Sequence, residues 1–171
     1  MSELEPTVRR LARELSGRGV RPGDLVTLVD MSRTEAPALA ISTWLCGGVF
    51  NTMDPYLHQS VLLSNIDLAK PRLLLTSSQF LSKLEDYCKE NEVQVWMNDE
   101  EGNFLDLVPS HAEVELEDVP SPRPNPQELA LILWSSGSTG IPKGIKVSFS
   151  ALINQCLRQW KAPLSNNKNP K

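Results

Sequence analysis

Apolar residues early in the chain recur at Leu4, Val8, Leu11, Ala12 and Leu15, a spacing of three and four that predicts an amphipathic helix over residues 3–19. The nearly unbroken apolar run Leu25–Met31 then predicts a buried strand. Ser32 or Thr34 is placed to cap a second helix, which tolerates Pro37 because it falls in the first turn. Gly47-Gly48 supply its stop. Val49–Met53 reads as a strand, His58–Lys70 as a helix, Arg72–Thr76 as a strand, Gln79–Asn91 as an amphipathic helix and Val93–Met97 as a strand. Helix alternating with short apolar strand implies parallel strands joined by helical crossovers. The fold class expected is α/β, a mostly parallel sheet with helices on both faces.

Asn98–Gly102 reads as a turn, and from Ser110 the composition changes. Glu113, Glu115, Glu117 and Asp118 precede Pro120, Pro122, Pro124 and Pro126, so residues 110–127 read as a solvated connector inside a domain spanning 1–152. Glutamates at alternate positions suit the wet face of an edge strand better than a cation site. Leu129–Trp134 is again apolar and strand-like. After Cys156 the pattern lapses, and residues 153–171 read as a divergent, frayed tail.

The chain has 171 residues, 40% hydrophobic, enough for one core of ordinary domain size. A net charge of −4 without a basic run argues against a nucleic-acid surface. The least charged stretch, Ala36–Phe50, contains Pro37 and two glycines and falls short of the ~20 apolar residues of a membrane span. No secretory leader is recognisable at Met1. Cys46, Cys88 and Cys156 are odd in number and far apart, which fits a reducing, intracellular (cytoplasmic) setting rather than a disulfide framework. Each reads as a core thiol rather than a nucleophile, and two isolated histidines, His58 and His111, make neither a zinc set nor a convincing triad. Trp134 reads as strand packing that could also shield the neighbouring residues from water, and Lys146 as a solvent-facing charge.

The chemistry concentrates in Ser135-Ser136-Gly137-Ser138-Thr139-Gly140-Ile141-Pro142-Lys143-Gly144. Three glycines let backbone N–H groups approach an anion, four hydroxyls add donors, and Lys143 adds a positive charge. No carboxylate occurs from Leu129 to Ser150, so nothing there repels a phosphate. A Walker A loop would put a hydroxyl residue directly after the lysine, where Gly144 stands here. A flexible Gly/Ser linker rarely places proline and lysine in this order behind a buried strand.

The order Ser-Ser-Gly-Ser-Thr-Gly-x-Pro-Lys-Gly resembles the phosphate-binding signature of the adenylate-forming superfamily of acyl-CoA synthetases, coumarate–CoA ligases, luciferases and peptide-synthetase adenylation domains. The likeness extends upstream through Val8–Leu15, Gly19–Val26, Leu45–Pro55 and Lys70–Thr76, covering Val8 to Leu152. Gly47–Thr52 and the Ser135-Ser136 start resemble the luciferase and coumarate–CoA ligase branch. The resemblance implies ATP as substrate, with Mg2+, a carboxylic acid and CoA as the other participants in full-length relatives. It implies that Ser135, Ser136, Gly137, Ser138, Thr139, Gly140 and Lys143 contact the phosphates. Phe149 departs from the pattern, since relatives often carry histidine shortly after the lysine-glycine pair.

The family's magnesium-binding glutamate, ribose-binding aspartate, hinge motif and lysine-bearing C-terminal domain have no counterpart in this sequence. The expectation is therefore a fragment of an ATP-dependent acid–CoA ligase that keeps the phosphate loop and is inactive alone. The alternative is a non-catalytic nucleotide- or partner-binding module derived from that fold. Relatives include peroxisomal proteins, but a chain ending Asn-Pro-Lys gives no such signal.

Overall fold

The computed structural model describes residues 4–31, 35–99, 104, 108, 125–135 and 143–161. Helix α1 (Leu4–Gly17) leads to β1 (Leu25–Val29), α2 (Ala36–Leu45), β2 (Val49–Met53), α3 (Gln59–Ala69) and β3 (Leu73–Ser77). Then come α4 (Ser78–Leu81), α5 (Glu85–Glu90), β4 (Gln94–Asn98), β5 (Leu129–Ser135), β6 (Lys143–Ser148) and α6 (Phe149–Lys161). The strands form one six-stranded sheet in the order β4-β3-β1-β2-β5-β6. All neighbours are parallel except β5 and β6, which are antiparallel.

Strand β1 connects outward to β2 through α2, and β2 returns across β1 to β3 through α3. Right-handed crossovers in opposite directions put their helices on opposite faces. Two apolar clusters result. Leu11 and Leu15 of α1 and Leu39 of α2 pack with Val26, Leu28, Phe50, Leu73 and Leu75 on one face. Leu62 and Ile66 of α3 pack with Val29, Met53, Leu74, Leu84 and Cys88 on the other. The split of Leu73 and Leu75 from Leu74 is the period-two alternation of a strand covered on both sides.

Helices α1 and α2 meet through polar atoms as well as apolar ones. Ser42 Oγ donates to the Val8 carbonyl at 2.9 Å, and Cys46 Sγ to that of Ala12 at 3.2 Å. Helix α2 ends in a Schellman arrangement, Gly48 N–H to Thr43 O and Gly47 N–H to Trp44 O, both at 2.9 Å. Gly47 has φ +74°, the left-handed conformation that this cap demands.

Several sequence expectations shift. The residue preceding α2 is Glu35, which makes no side-chain cap hydrogen bond; Ser32 and Thr34 lie outside the described residues. The helix expected over 79–91 is broken into α4 and α5, because Lys83 and Leu84 close tight i→i+3 turns onto Phe80 and Leu81. Helix α6 continues past Cys156 to Lys161, where a tail had been expected from residue 153. Its apolar Ile153 and Leu157 continue the four-residue spacing from the buried Phe149 but are themselves largely exposed. The connector up to residue 124, the end of the Asn98–Gly102 turn and the tail from residue 162 lie outside the described residues.

Candidate functional site

In open parallel sheets, ligands bind outside the carboxyl ends of the strands. Those ends here carry Asp30 after β1, Asp54 after β2 and Ser135 at the end of β5. Strand β6 leads back antiparallel along β5, with Ser135 paired to Lys143 and Trp134 to Gly144. The first residue of the glycine-and-hydroxyl loop and its lysine are therefore neighbours across a ladder, at the mouth of the hairpin. Lys143 is exposed and available to an anion. Ser136, Gly137, Ser138, Thr139 and Gly140 lie outside the described residues. Their expected phosphate contacts stay part of the functional proposal.

Two indoles fix β5. At its start, Trp44 Nε1 of α2 donates to the Ala130 carbonyl at 2.7 Å. Trp44 also meets Phe149 edge-to-face at 5.7 Å, so the residue standing where relatives often have histidine packs as a buried anchor under α6. At the other end, Trp134 Nε1 donates to Asn51 Oδ1 at 2.9 Å, and Asn51 Nδ2 donates to Thr27 Oγ1 at 3.0 Å. Thr27 and Asn51 are fully buried. The Trp134 ring lies across the Gly144 position, where an added Cβ would sit 3.6 Å from Cη2.

A cavity of about 480 Å3 adjoins the loop, lined by Thr52, Asp54, Leu57, Asn65, Leu133, Trp134 and Ser135. Asn65 is 1% exposed, and its buried Nδ2 has no hydrogen-bond partner among the described residues. That amide nitrogen is the buried donor the cavity offers. Asp54 Oδ1 accepts from Tyr56 N–H at 2.9 Å, which turns the chain after β2 across the cavity rim. A second cavity of about 380 Å3 lies between the ends of β1 and β2, lined by Asp30, Met31, Asp54 and Tyr56 among others.

His58 caps α3, its ring nitrogen accepting from Ser60 N–H, which accounts for it structurally. Cys46 and Cys88 are buried, as expected of core thiols, whereas Cys156, also expected in the core, is exposed on α6. Burial pushes the Cys46 thiol up to about 11, against a small lowering by a backbone hydrogen bond and Arg21, so it stays protonated at neutral pH. Burial raises Cys88 as well. Lys146 is exposed, as expected of a solvent-facing charge. Among the described residues no three His, Cys, Asp or Glu side chains gather as a metal site.

The profile of the family described as AMP-binding enzyme matches residues 1–170. The chain belongs to the AMP-binding enzyme family. Its relatives come from both the CoA-ligase and the peptide-synthetase sides. 4-Coumarate–CoA ligase 1 of Petroselinum crispum is 21% identical over 158 residues, covering 92% of this chain and 29% of the relative. Nonribosomal peptide synthetase 8 of Aspergillus fumigatus is 32% identical over 151 residues, covering 88% of this chain and 2% of the relative. The fold superposes on ATP-bound MatB from Rhodopseudomonas palustris with a TM-score of 0.80 at 24% identity, covering 91% of this chain and 31% of that one. This AMP-binding chain thus spans under a third of the CoA ligase and of MatB, and its sheet matches the N-terminal part of adenylate-forming enzymes. No helix among the described residues is long and apolar enough to cross a membrane.

The Asn51–Trp134 bond was not legible in the sequence, where Trp134 read as strand packing or as a shield against water. Its two residues are 83 positions apart, and no local pattern joins them.

Proposed function

We propose that the chain is the N-terminal portion of an ATP-dependent carboxylic acid–CoA ligase, and that its β5–β6 hairpin holds the β- and γ-phosphates of ATP. The observation that carries this reading is the pairing of Ser135 with Lys143 across the hairpin mouth. It sits at the carboxyl edge of a parallel sheet, on a segment without a carboxylate from Leu129 to Ser150.

A carboxylate is a poor acyl donor because oxide leaves badly. Attack of its oxygen on the α-phosphorus makes a mixed anhydride and releases pyrophosphate; a thiol then attacks the acyl carbon, forming a thioester and expelling AMP. The role assigned to Lys143, Ser135 and residues 136–140 is to stabilise the charge that builds on the departing pyrophosphate by fixed donors. Among the described residues lining the cavity the one carboxylate is Asp54; the magnesium that accompanies ATP would be held chiefly by the phosphates, with few protein ligands. No step is assigned to a metal here.

About four charge-assisted hydrogen bonds at roughly 1.5 kcal/mol each give some 6 kcal/mol, against an association cost of about 4 kcal/mol or more. Triphosphate affinity of the chain alone is then about millimolar or weaker. Pyrophosphate exchange by the chain alone is not expected. The exposed Leu133, Ile145, Ile153 and Leu157 on β5, β6 and α6 favour this reading over a free-standing module, because they leave an apolar surface suited to being covered.

Titration of the chain with inorganic tripolyphosphate, followed by phosphorus NMR, tests the proposal. Binding should be weak but measurable in the unaltered protein and lost in Lys143→Ala. Equal binding by both would remove Lys143 from the site.

A further inference from the structure

Strand β5 is seven residues long, yet β2 pairs with it only at Phe50–Leu131 and Asn51–Ile132. Strands β1 and β2, by contrast, stay paired from Leu25–Val49 to Val29–Met53. Beyond Ile132, β5 leaves β2, and the cavity lined by Thr52, Asp54, Leu133, Trp134 and Ser135 occupies the gap. Among the described residues, the segment that carries the loop's first residue therefore has backbone pairing with β6 alone, and β6 is the sheet's edge. Among the described residues one side-chain hydrogen bond spans the gap: Trp134 Nε1 to Asn51 Oδ1 at 2.9 Å. Asn51 cannot turn away, because its other amide atom is committed to Thr27 on β1 at 3.0 Å and both residues are fully buried.

From this geometry we infer that Asn51 is a positioning residue for the phosphate loop, holding Trp134 and with it the Ser135–Lys143 mouth at a fixed distance from the sheet. Three strands, β1, β2 and β5, are joined by one line of side chains, Thr27–Asn51–Trp134. Without that line the hairpin can swing about its last ladder pair with β2, and Ser135 no longer holds its place beside the cavity. Asn51 touches no ligand; it acts through the indole. The inference rests on the reading of residues 135–144 as a triphosphate loop.

The test compares the full chain with Trp134→Phe, Asn51→Leu and the double variant, reading thermal unfolding and the affinity for inorganic tripolyphosphate. Trp134→Phe keeps a ring but removes the donor, so it is the milder change. It should weaken tripolyphosphate binding by about fivefold, the worth of one hydrogen bond. Asn51→Leu should weaken binding comparably. In the double variant, apolar faces apolar, and thermal stability should return toward that of the unaltered chain while binding stays weak. Recovery of binding together with stability, or unchanged binding in Trp134→Phe, would overturn the inference. Lys143→Ala separates the two readings. If it loses binding while Trp134→Phe does not, only the positioning role fails; if the unaltered chain binds no tripolyphosphate, both fail.

Discussion

Replacing Gly47 by alanine should cost stability out of proportion to one methyl group. Gly47 has φ +74° at the end of α2, and an added Cβ would lie 3.0 Å from Pro22 Cβ and 3.1 Å from Pro22 Cα. The left-handed conformation costs an L-residue about 1–2 kcal/mol. Crowding against a proline backbone adds about 1–3 kcal/mol, since the ring has little room to yield. The lower entropy of the unfolded alanine chain returns about 0.4–1 kcal/mol. The net is a loss of about 2–4 kcal/mol, a fall in Tm of about 5–15 °C for a domain this size. Gly17 is the control: its φ is not positive and nothing lies within 4 Å of an added Cβ. Gly17→Ala at the last residue of α1 should be neutral or slightly stabilising. Urea unfolding of both variants decides the matter. A Gly47→Ala loss no larger than that of Gly17→Ala would refute the assignment of strain to the cap. The cap matters to the site because Gly48 leads directly into β2, which carries Asn51 and ends just before Asp54.

Other outcomes concern the thiols and the chemistry. The Cys46 thiol lies raised from 9.0 to about 11 by burial, so its contribution to stability is complete below pH 9 and lost as pH rises from 9 to 11. Up to about 3 kcal/mol is at stake, and Cys46→Ala should lose correspondingly less stability over that range in urea unfolding. Cys156 should react quickly with a disulfide reagent in the native chain, and Cys46 and Cys88 only after denaturation; fast labelling of all three would contradict their burial. The chain alone should show no ATP–pyrophosphate exchange with any carboxylic acid, and detectable exchange would contradict the proposed division of the catalytic machinery.

Much of the fold could be read from the sequence because each early element obeys one period. Val8, Leu11, Ala12 and Leu15 define one side of α1, and the apolar triplet Leu73-Leu74-Leu75 marks a strand buried on both faces. Gly47-Gly48 announces the end of α2 through its own stereochemistry. The break between α4 and α5 was hidden because it depends on distant partners. Lys83 Nζ donates to the Pro55 carbonyl at 2.9 Å, and Gln59 Nε2 donates to the Lys83 carbonyl at 3.1 Å. Strand β6 escaped notice because Lys143, Gly144 and Lys146 dilute the alternation of Ile145 and Val147. At the site, residue types in the loop pointed to an anion-binding chemistry, which is the basis of the proposed function. The Asn51–Trp134 brace is a tertiary contact and could be seen only in three dimensions.

Amide shifts of the isotopically labelled chain during titration with ATP test the central claim most directly, since they report where the triphosphate sits. Perturbations centred on Ser135 to Gly144, saturating at about millimolar ATP or above, are the predicted result. Shifts confined to the cavity between β1 and β2, around Asp30 and Tyr56, or none at all, would contradict it.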